Sequence, residues 1–572
     1  MAIRHLKAIL HSDNPYVAID TETNGGDVRD GTGIAYGVSI CDGTVAMYLP
    51  FRHRILAQEN LDFHRFRLLL QQIIDVKTII YFNAKFDIVS LGTLGLDARH
   101  KKFMCTMVQC QLINENMPQQ KSLDRCCKFY LHNEGKKASP EYLYAVNKFG
   151  YANMSASLTA EYAMTDAKIT FELFQHIRPM LNAEKLGPTW EHKREFIELL
   201  IDMESRGVLV DTELCVEMAA RGHVEMDHIR HSLNGLNPGS PNDLEVLLID
   251  RLNLPIVKLT PKGKPSFDKY AMEDYDLMLA RINDPLAKKV FAYRGWQKSV
   301  TSNYEPYVFL LSPDGRLRTN FNLHRTVTGR LSSNGPNLQQ IPRSGEKPWN
   351  GKMKKCFIPQ PGYVLIEGDY SQLEFRLGAS FAGEQKLLEA FSDRDRDVFD
   401  EMAELLKMER YECKTLEYSL SYGAGIRRIM AAFGVSAARA KEIRDNHYAT
   451  YPNLKRASAY ASQYALRYKK IPIWSGRYRH FSNPKEENHK AFNSLCQGGA
   501  ADIVERTMLR CAAQGYNTDD CRMLLQVHDS IVWEVREELV DTLRPQLIRC
   551  MEDVTGFKVP FHVDLHEWGL AA

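Results

Sequence analysis

Short apolar runs that break off at an acidic residue recur along this chain. In YVAIDTETNGG, Val17, Ala18 and Ile19 lead into Asp20, Thr21, Glu22 and an Asn-Gly-Gly turn, which predicts a strand whose alternation puts Asp20 and Glu22 on one face. In IIYFNAKFDIVSL a short apolar strand precedes Asn83 and Asp87. GYVLIEGDYSQLEFRLGA predicts a strand through Val364, Leu365 and Ile366 that ends at Asp369, with a helix just after it; Ser371-Gln372-Leu373-Glu374 fits a capping box at that helix start. In LLQVHDSIVWEV, β-formers flank His528-Asp529-Ser530, predicting a hairpin with Asp529 at its tip. Two segments read as helices. AEYAMTDAKITFELF sets Tyr162 and Asp166 one turn apart on a single face. RYECKTLEYSLSYGAG sets Arg410, Lys414, Tyr418 and Tyr422 four residues apart, a slowly turning stripe ended by Gly423.

Length and charge add limits. With 572 residues the chain has material for three or four domains. Lys+Arg 73 nearly balances Asp+Glu 71, so any nucleic-acid surface must be local. Two stretches qualify: residues 343 to 355, RSGEKPWNGKMKK, and residues 467 to 481, RYKKIPIWSGRYRHF, where bases alternate with aromatics. The 12 cysteines are scattered without a CxxC, which suggests neither a zinc site nor a disulfide framework. No apolar run reaches a membrane span and the N-terminus lacks a signal-peptide core, so a soluble, cytoplasmic protein is expected, in a host cytoplasm if phage-encoded.

Each acidic element alone has an ordinary reading. Asp is a common turn former, Glu374 suits a helix start, and basic residues beside tyrosines describe many amphipathic helices. The chemistry of a carboxylate pair gives the alternative. Divalent cations take oxygen ligands, and two of them roughly 4 Å apart both activate a nucleophilic oxygen and stabilise a leaving one. Asp20 with Glu22, and Asp369 with Asp529 if their strands are neighbours, could each hold such ions. Arg410 and Lys414 offer a fork and a point charge to a triphosphate, and the tyrosines a flat surface to a base.

The order DxE, N-x3-D, Y-x3-D over residues 1 to 185 resembles the three motifs of DnaQ-like 3′-5′ exonucleases. The later order TGRLSS with PNLQ, DYSQLE, R-x3-K-x3-Y-x3-YG and QVHD resembles family A DNA polymerases of the DNA polymerase I large-fragment type, without a preceding 5′ nuclease domain, as in phage members. The resemblance implies Asp20, Glu22, Asp87 and Asp166 as exonuclease metal carboxylates and Tyr162 as the residue that orients water. It implies Asp369, Asp529 and the Tyr370 carbonyl as ligands of two Mg²⁺ ions, with Mn²⁺ as a substitute. Arg410, Lys414, Tyr418, Tyr422, Gln372 and Arg343 would meet the incoming nucleotide, Lys414 protonating pyrophosphate, and Glu374 would exclude a ribose 2′-OH. Arg330, Asn337, Gln339, Asn493, Gln497 and His528 would contact primer and template, and Ser240 and Asn242 a DNA phosphate at a helix start.

Four residues depart from the bacterial pattern. Ser530 replaces a glutamate, so a third carboxylate is expected to be lost. Phe399 replaces a phosphate-binding His and His489 an Arg. Tyr418 replaces Phe, which implies weak discrimination against dideoxynucleotides. The expected architecture is an RNase H-like α/β exonuclease domain over 1–185, followed by a right-hand polymerase: thumb 186–300, palm 301–375 and 491–572, helical fingers 376–490. Implied partners are primer-template DNA, dNTPs and other replication proteins, with no membrane. A 3′-5′ exonuclease with an inactive polymerase half is the alternative, and a nonenzymatic DNA-binding scaffold a further one; carboxylates near a polyanion weaken binding unless cations neutralise them.

Overall fold

The computed structural model describes residues 2–133, 139–150, 153–342, 345, 347–394, 396–421 and 426–569, without the side chains of Tyr418, Ser421, Arg428 and Ala431. Its contacts divide into two units. The first takes the chain up to Arg206, Phe321–Ser333 and Ile366–Leu565; the second takes Gly207–Asn320, Asn334–Leu365 and the segment from His566.

The first unit opens with a mixed five-stranded sheet. Its elements are β1 (Tyr16–Thr23), β2 (Ala35–Cys41), β3 (Ala46–Pro50), β4 (Thr78–Tyr81), α1 (Ala84–Thr93), β5 (Phe103–Cys105) and α2 (Ala156–Ala183), and the strand order is β3-β2-β1-β4-β5. The central strand β1 pairs antiparallel with β2, Asp20 opposite Ser39 and Glu22 opposite Gly37, and parallel with β4, Val17 opposite Ile79. A bulge between Glu22 and Thr23 ends the regular pairing beside the two carboxylates. The Ser155 hydroxyl starts α2 by accepting the Leu158 N–H at 3.3 Å. One face of α2 then buries Ala167, Phe171 and Phe174 against Ala18, Cys41 and Ile80. Each buried ring contributes roughly 2 kcal/mol, which ties Asp166 on α2 to β1.

Later in the chain come β6 (Tyr363–Tyr370, in the first unit from Ile366), α3 (Leu373–Ala382), α4 (Arg410–Ser421), α5 (Ala491–Ala513), β7 (Cys521–Val527), β8 (Ser530–Arg536), α6 (Val540–Glu552) and β9 (Val563–Glu567, in the first unit up to Leu565), with strand order β7-β8-β6-β9. The predicted hairpin forms. Val527 pairs with Ser530, so His528 and Asp529 alone make the turn, and His528 takes the positive φ, 55°, that such a tight connection demands. Strand β8 is buried from Ser530 to Val535. The Tyr370 hydroxyl anchors the end of β6 below the sheet: it donates to the Met551 carbonyl on α6 at 2.5 Å and lies 2.8 Å from Thr507 Oγ1 on α5. Helix α4 packs Leu416 and Leu420 into a cluster with Ile429, Ala440 and Ile443.

The second unit holds a three-stranded sheet of Phe357–Ile358, Val208–Val210 and Arg316–Leu317. Helices Lys269–Ala280 and Leu286–Ser299 supply its core, in which Met272, Tyr275, Leu279 and Val290 meet Leu244 and Leu248. The helix read from LNPGSPNDLEVLL is five residues long, Pro241–Glu245, and the Ser240 hydroxyl caps it by accepting the Asp243 N–H; Asn242 is exposed. Among the described residues, no helix is long and apolar enough to cross a membrane.

Candidate active sites

The upstream carboxylates gather at one place, Asp20 and Glu22 from the strand and Asp166 from the helix packed on it. Asp20 and Glu22 on β1 and Asp166 on α2 each offer an oxygen, and the three atoms lie within 4.8 Å of one another. Asp87, in the first turn of α1, reaches the same end of the sheet and is fixed by Thr21, whose N–H and hydroxyl both donate to Asp87 Oδ1, at 3.1 and 2.8 Å. Burial pushes the Asp87 carboxyl up to about 7, against those two hydrogen bonds and with the Asp166 charge adding to the rise. Tyr162 lies half-buried with its ring stacked on Tyr142, centroids 4.3 Å apart. Thr21 and Tyr142 are functional neighbours that the sequence did not single out. Thr21 had one signal, its place between two carboxylates, whereas Tyr142 had none. Gathered carboxylates of this kind repel one another, and an oxygen-seeking divalent cation is the group whose charge offsets that repulsion.

Downstream, β6 lies beside β8, and the Tyr370 N–H reaches the Asp529 carbonyl at 3.5 Å, so Asp369 and Asp529 stand at adjacent strand ends. Arg330 faces them from the loop before Leu331. Its guanidinium forms a close ion pair with Glu374 and donates to Asp529 Oδ1 at 3.2 Å. Burial raises the Glu374 carboxyl above the usual range; Arg330 opposes this and Asp529 reinforces it. The capping box does not form. Gln372 takes the N-cap position with φ 55° and no side-chain cap, and Glu374 turns to Arg330 instead, because an ion pair in a partly buried site outweighs a local cap.

Ser530, where the bacterial pattern has a glutamate, is buried against an acid of the neighbouring strand. Glu367, two residues before Asp369 on β6, is 6% exposed, and its Oε1 accepts the Ser530 hydroxyl at 2.8 Å. The chain thus places an acid against Ser530 from the neighbouring strand. Period-two alternation would have flagged Glu367 as sharing a face with Asp369.

The loop that carries Arg330 is held by a residue read only as part of a basic stretch. Arg477 is buried, donates from Nε to both Asp502 oxygens at 2.9 and 3.0 Å, and from its terminal nitrogen to the carbonyls of Thr328, at 2.6 Å, and Gly498, at 2.9 Å. Gly329 has φ +83°, and a Cβ there would stand 2.6 Å from the Arg477 guanidinium carbon, so TGRLSS needs its glycine on both counts. Arg479 pairs with Glu115 in the same buried manner, so these two members of the 467–481 stretch face protein, not solvent.

The remaining site residues are placed as follows. Arg410 and Lys414 are exposed on α4, and Arg410 pairs with Asp397 and, at 3.3 Å, Asp400. Phe399 is buried, its ring stacked on Phe375 with centroids 5.7 Å apart, which makes that position part of the core. Asn493 and Gln497 lie half-buried one turn apart on α5, and His528 and His489 are exposed. In the second unit Asn337 caps the short turn Leu338–Gln340 by accepting the Gln339 N–H at 3.1 Å. Arg343, Tyr422 and the side chain of Tyr418 lie outside the described residues.

Comparison with known proteins bears on both regions. The model of DNA polymerase family A matches residues 213–569, and that of a 3′-5′ exonuclease matches residues 4–182. DNA polymerase I of Rhizobium leguminosarum is 26% identical over 96% of this chain and 58% of the relative, and that of Pseudomonas aeruginosa 26% identical over 96% and 62%. The thermostable DNA polymerase I of Thermus aquaticus is 28% identical over 73% of this chain and 52% of the relative. The chain therefore spans about three-fifths of the length of the first two. Among solved structures, the POL domain of Pol1 from M. smegmatis, in complex with DNA primer-template and dNTP, superposes with a TM-score of 0.82 at 21% identity over 99% of this chain and 97% of that one. The shared fold is an exonuclease domain followed by a polymerase domain.

Proposed function

The chain belongs to DNA polymerase family A, and on that premise we propose that it extends a DNA primer on a template with deoxynucleotides and trims mismatched 3′ ends at its upstream site. The observation that carries the reading is the pair of separate acidic centres: Asp20, Glu22 and Asp166 within 4.8 Å, and Asp369 and Asp529 at adjacent strand ends facing Arg330 and Glu374. Within the reading, residues 1–185 form the exonuclease domain, 186–300 the thumb, 301–375 and 491–572 the palm, and 376–490 the fingers.

Asp369, Asp529 and the Tyr370 carbonyl would hold two Mg²⁺ ions at the downstream site, and Asp20, Glu22 and Asp166 a pair upstream, with Mn²⁺ able to replace them. Bound there, the ions lower the pKa of an attacking oxygen and neutralise charge on the leaving one. The chain's own groups do the positioning. Arg410 and Lys414 draw the triphosphate to the exposed face of α4, and Lys414 delivers a proton to the departing pyrophosphate. Tyr418 stacks on the nucleotide sugar and base, with Gln372 and Arg343 beside it; Glu374, braced by Arg330, fills the space a 2′-OH would need, and Tyr422 packs beneath it near the templating base. Asn337, Gln339, Asn493, Gln497 and His528 contact primer and template, and Ser240 and Asn242 a more distant phosphate. Upstream, Tyr162 orients the attacking water and Thr21 holds Asp87.

Primer extension and single-strand digestion with Mg²⁺, run on the parent chain, Asp529→Ala and Asp20→Ala, test this directly. The first variant should lose synthesis and keep digestion, the second the reverse. Loss of both activities in either variant rejects two independent centres, and a parent that digests but never extends leaves an exonuclease alone.

A further inference from the structure

We infer that Gln111 is a positioning residue of the downstream centre: from inside the exonuclease domain it fixes the loop that carries Arg330, so synthesis at one site depends on a side chain of the domain that houses the other. The inference rests on the synthesis proposed above and deepens it.

Three observations carry it. Gln111 belongs to the helix Thr106–Ile113, all of which is buried, and is itself 7% exposed. Its Nε2 donates to the Thr326 carbonyl at 2.8 Å, while its Oε1 has no partner among the described residues. An unpaired amide oxygen at that depth is costly, and a methionine would fill the space without it. Packing therefore gives no reason for the amide; the bond to the loop does. Next, the Thr326 hydroxyl donates to the Arg330 carbonyl in a close contact, and the Arg330 guanidinium reaches Glu374 and Asp529. A short run of hydrogen bonds thus joins Gln111, through two residues of the loop, to Asp529. Last, the same domain holds the start of the segment. Lys85 on α1 donates to the Phe321 carbonyl and pairs closely with Glu204, whose Oε1 accepts the Phe321 N–H at 2.6 Å.

The placement complements that of Arg477. Arg477 takes the Thr328 carbonyl, and Gln111 takes the carbonyl two residues earlier. Two carbonyls so close in sequence, held from separate elements, leave the chain just before Arg330 little freedom to turn. Thr326 is the link that Gln111 controls: once its carbonyl is released, its hydroxyl no longer holds the Arg330 carbonyl in one place.

The test is made on the full chain. Gln111→Met fills the space with no donor, and hydrogen exchange in a peptide spanning 326–333 should quicken about three- to tenfold, the worth of one neutral hydrogen bond. The kcat of primer extension should fall by about the same factor, with the KM for the deoxynucleotide within about twofold because Arg410 and Lys414 on α4 are untouched, and with single-strand digestion within about twofold of the parent. Thr326→Val cuts the next link; added to Gln111→Met, it should lower kcat no further than the stronger single change, since both act through Arg330. Parent-like exchange or undiminished extension in Gln111→Met overturns the inference. So does an equal loss of digestion, which would mean general damage to the exonuclease domain, and so do additive losses in the double variant, which would mean two unrelated contacts. If Gln111→Met is too unstable to assay, Gln111→Glu, which keeps the shape and turns an acceptor toward the carbonyl, is judged by the same readouts. A parent chain that never extends a primer rejects the proposed synthesis, and the exchange comparison then decides whether Gln111 holds the loop.

Discussion

Replacing Arg477 by Met removes the guanidinium that holds the loop bearing Arg330. Asp502 and the carbonyls of Thr328 and Gly498 each lose a partner, and the first two set the outcome. Asp502, 3% exposed, would keep the Ser475 hydroxyl at 2.5 Å but lose its cation, and stranding one member of a buried ion pair costs about 3–5 kcal/mol. The Thr328 carbonyl would lose a charge-assisted bond of 2.6 Å, about 1.5–3 kcal/mol, and that portion falls on the loop itself. Local opening of residues 326–333 should therefore rise roughly ten- to a hundredfold. Hydrogen exchange read by mass spectrometry on a peptide spanning 326–333 measures the opening directly. Primer extension should fall at least tenfold, while digestion at the upstream cluster stays within about twofold of the parent. The double variant Arg477→Met with Asp502→Leu removes the stranded charge, so most of the global stability should return, yet exchange in 326–333 should stay fast because the Thr328 carbonyl still lacks its donor. Parent-like exchange in the single variant, or its recovery in the double, would refute the role assigned to Arg477.

Thr21→Val is nearly isosteric and removes one of the two donors to Asp87; digestion should drop several-fold with extension unchanged, and a drop in both would place the defect in folding. Glu505 tests linkage. Burial would raise its carboxyl, but Lys193 and His192 outweigh burial and hold it at about 2, so the fold favours the charged form. The corresponding stabilisation, roughly 3 kcal/mol, is present above the ordinary value of 4.5 and fades as pH falls from there toward 2. Denaturant unfolding of Glu505→Gln should therefore trail the parent most near neutrality and close the gap in acid, and a gap that is constant down to pH 3 would contradict the pairing. Finally, Tyr418 is read as tolerating chain terminators; dideoxynucleotide incorporation several hundredfold poorer than normal would overturn that reading.

What the sequence made legible was local. Strands announced themselves by apolar runs, and a carboxylate at each end followed from counting, because alternation along β1 and one helical turn along α2 are short-range rules. Partners across the chain were silent. Thr21 and Asp87 lie 66 residues apart, and nothing in WSGRYRHF separates an arginine buried on Asp502 from one in solvent. The capping box at Ser371 misled for a related reason: its pattern is complete within four residues, but the competing partner of Glu374 sits 44 residues upstream in Arg330. Ser530 shows the same limit in sharper form. Position by position it reads as a missing acid, because a motif counts carboxylates along one strand. The contact that Ser530 makes comes from another strand: β6 sets Glu367 against its hydroxyl, 163 residues away in sequence. The surroundings of a single motif residue are therefore legible only once the strand beside it has been read at its own period of two.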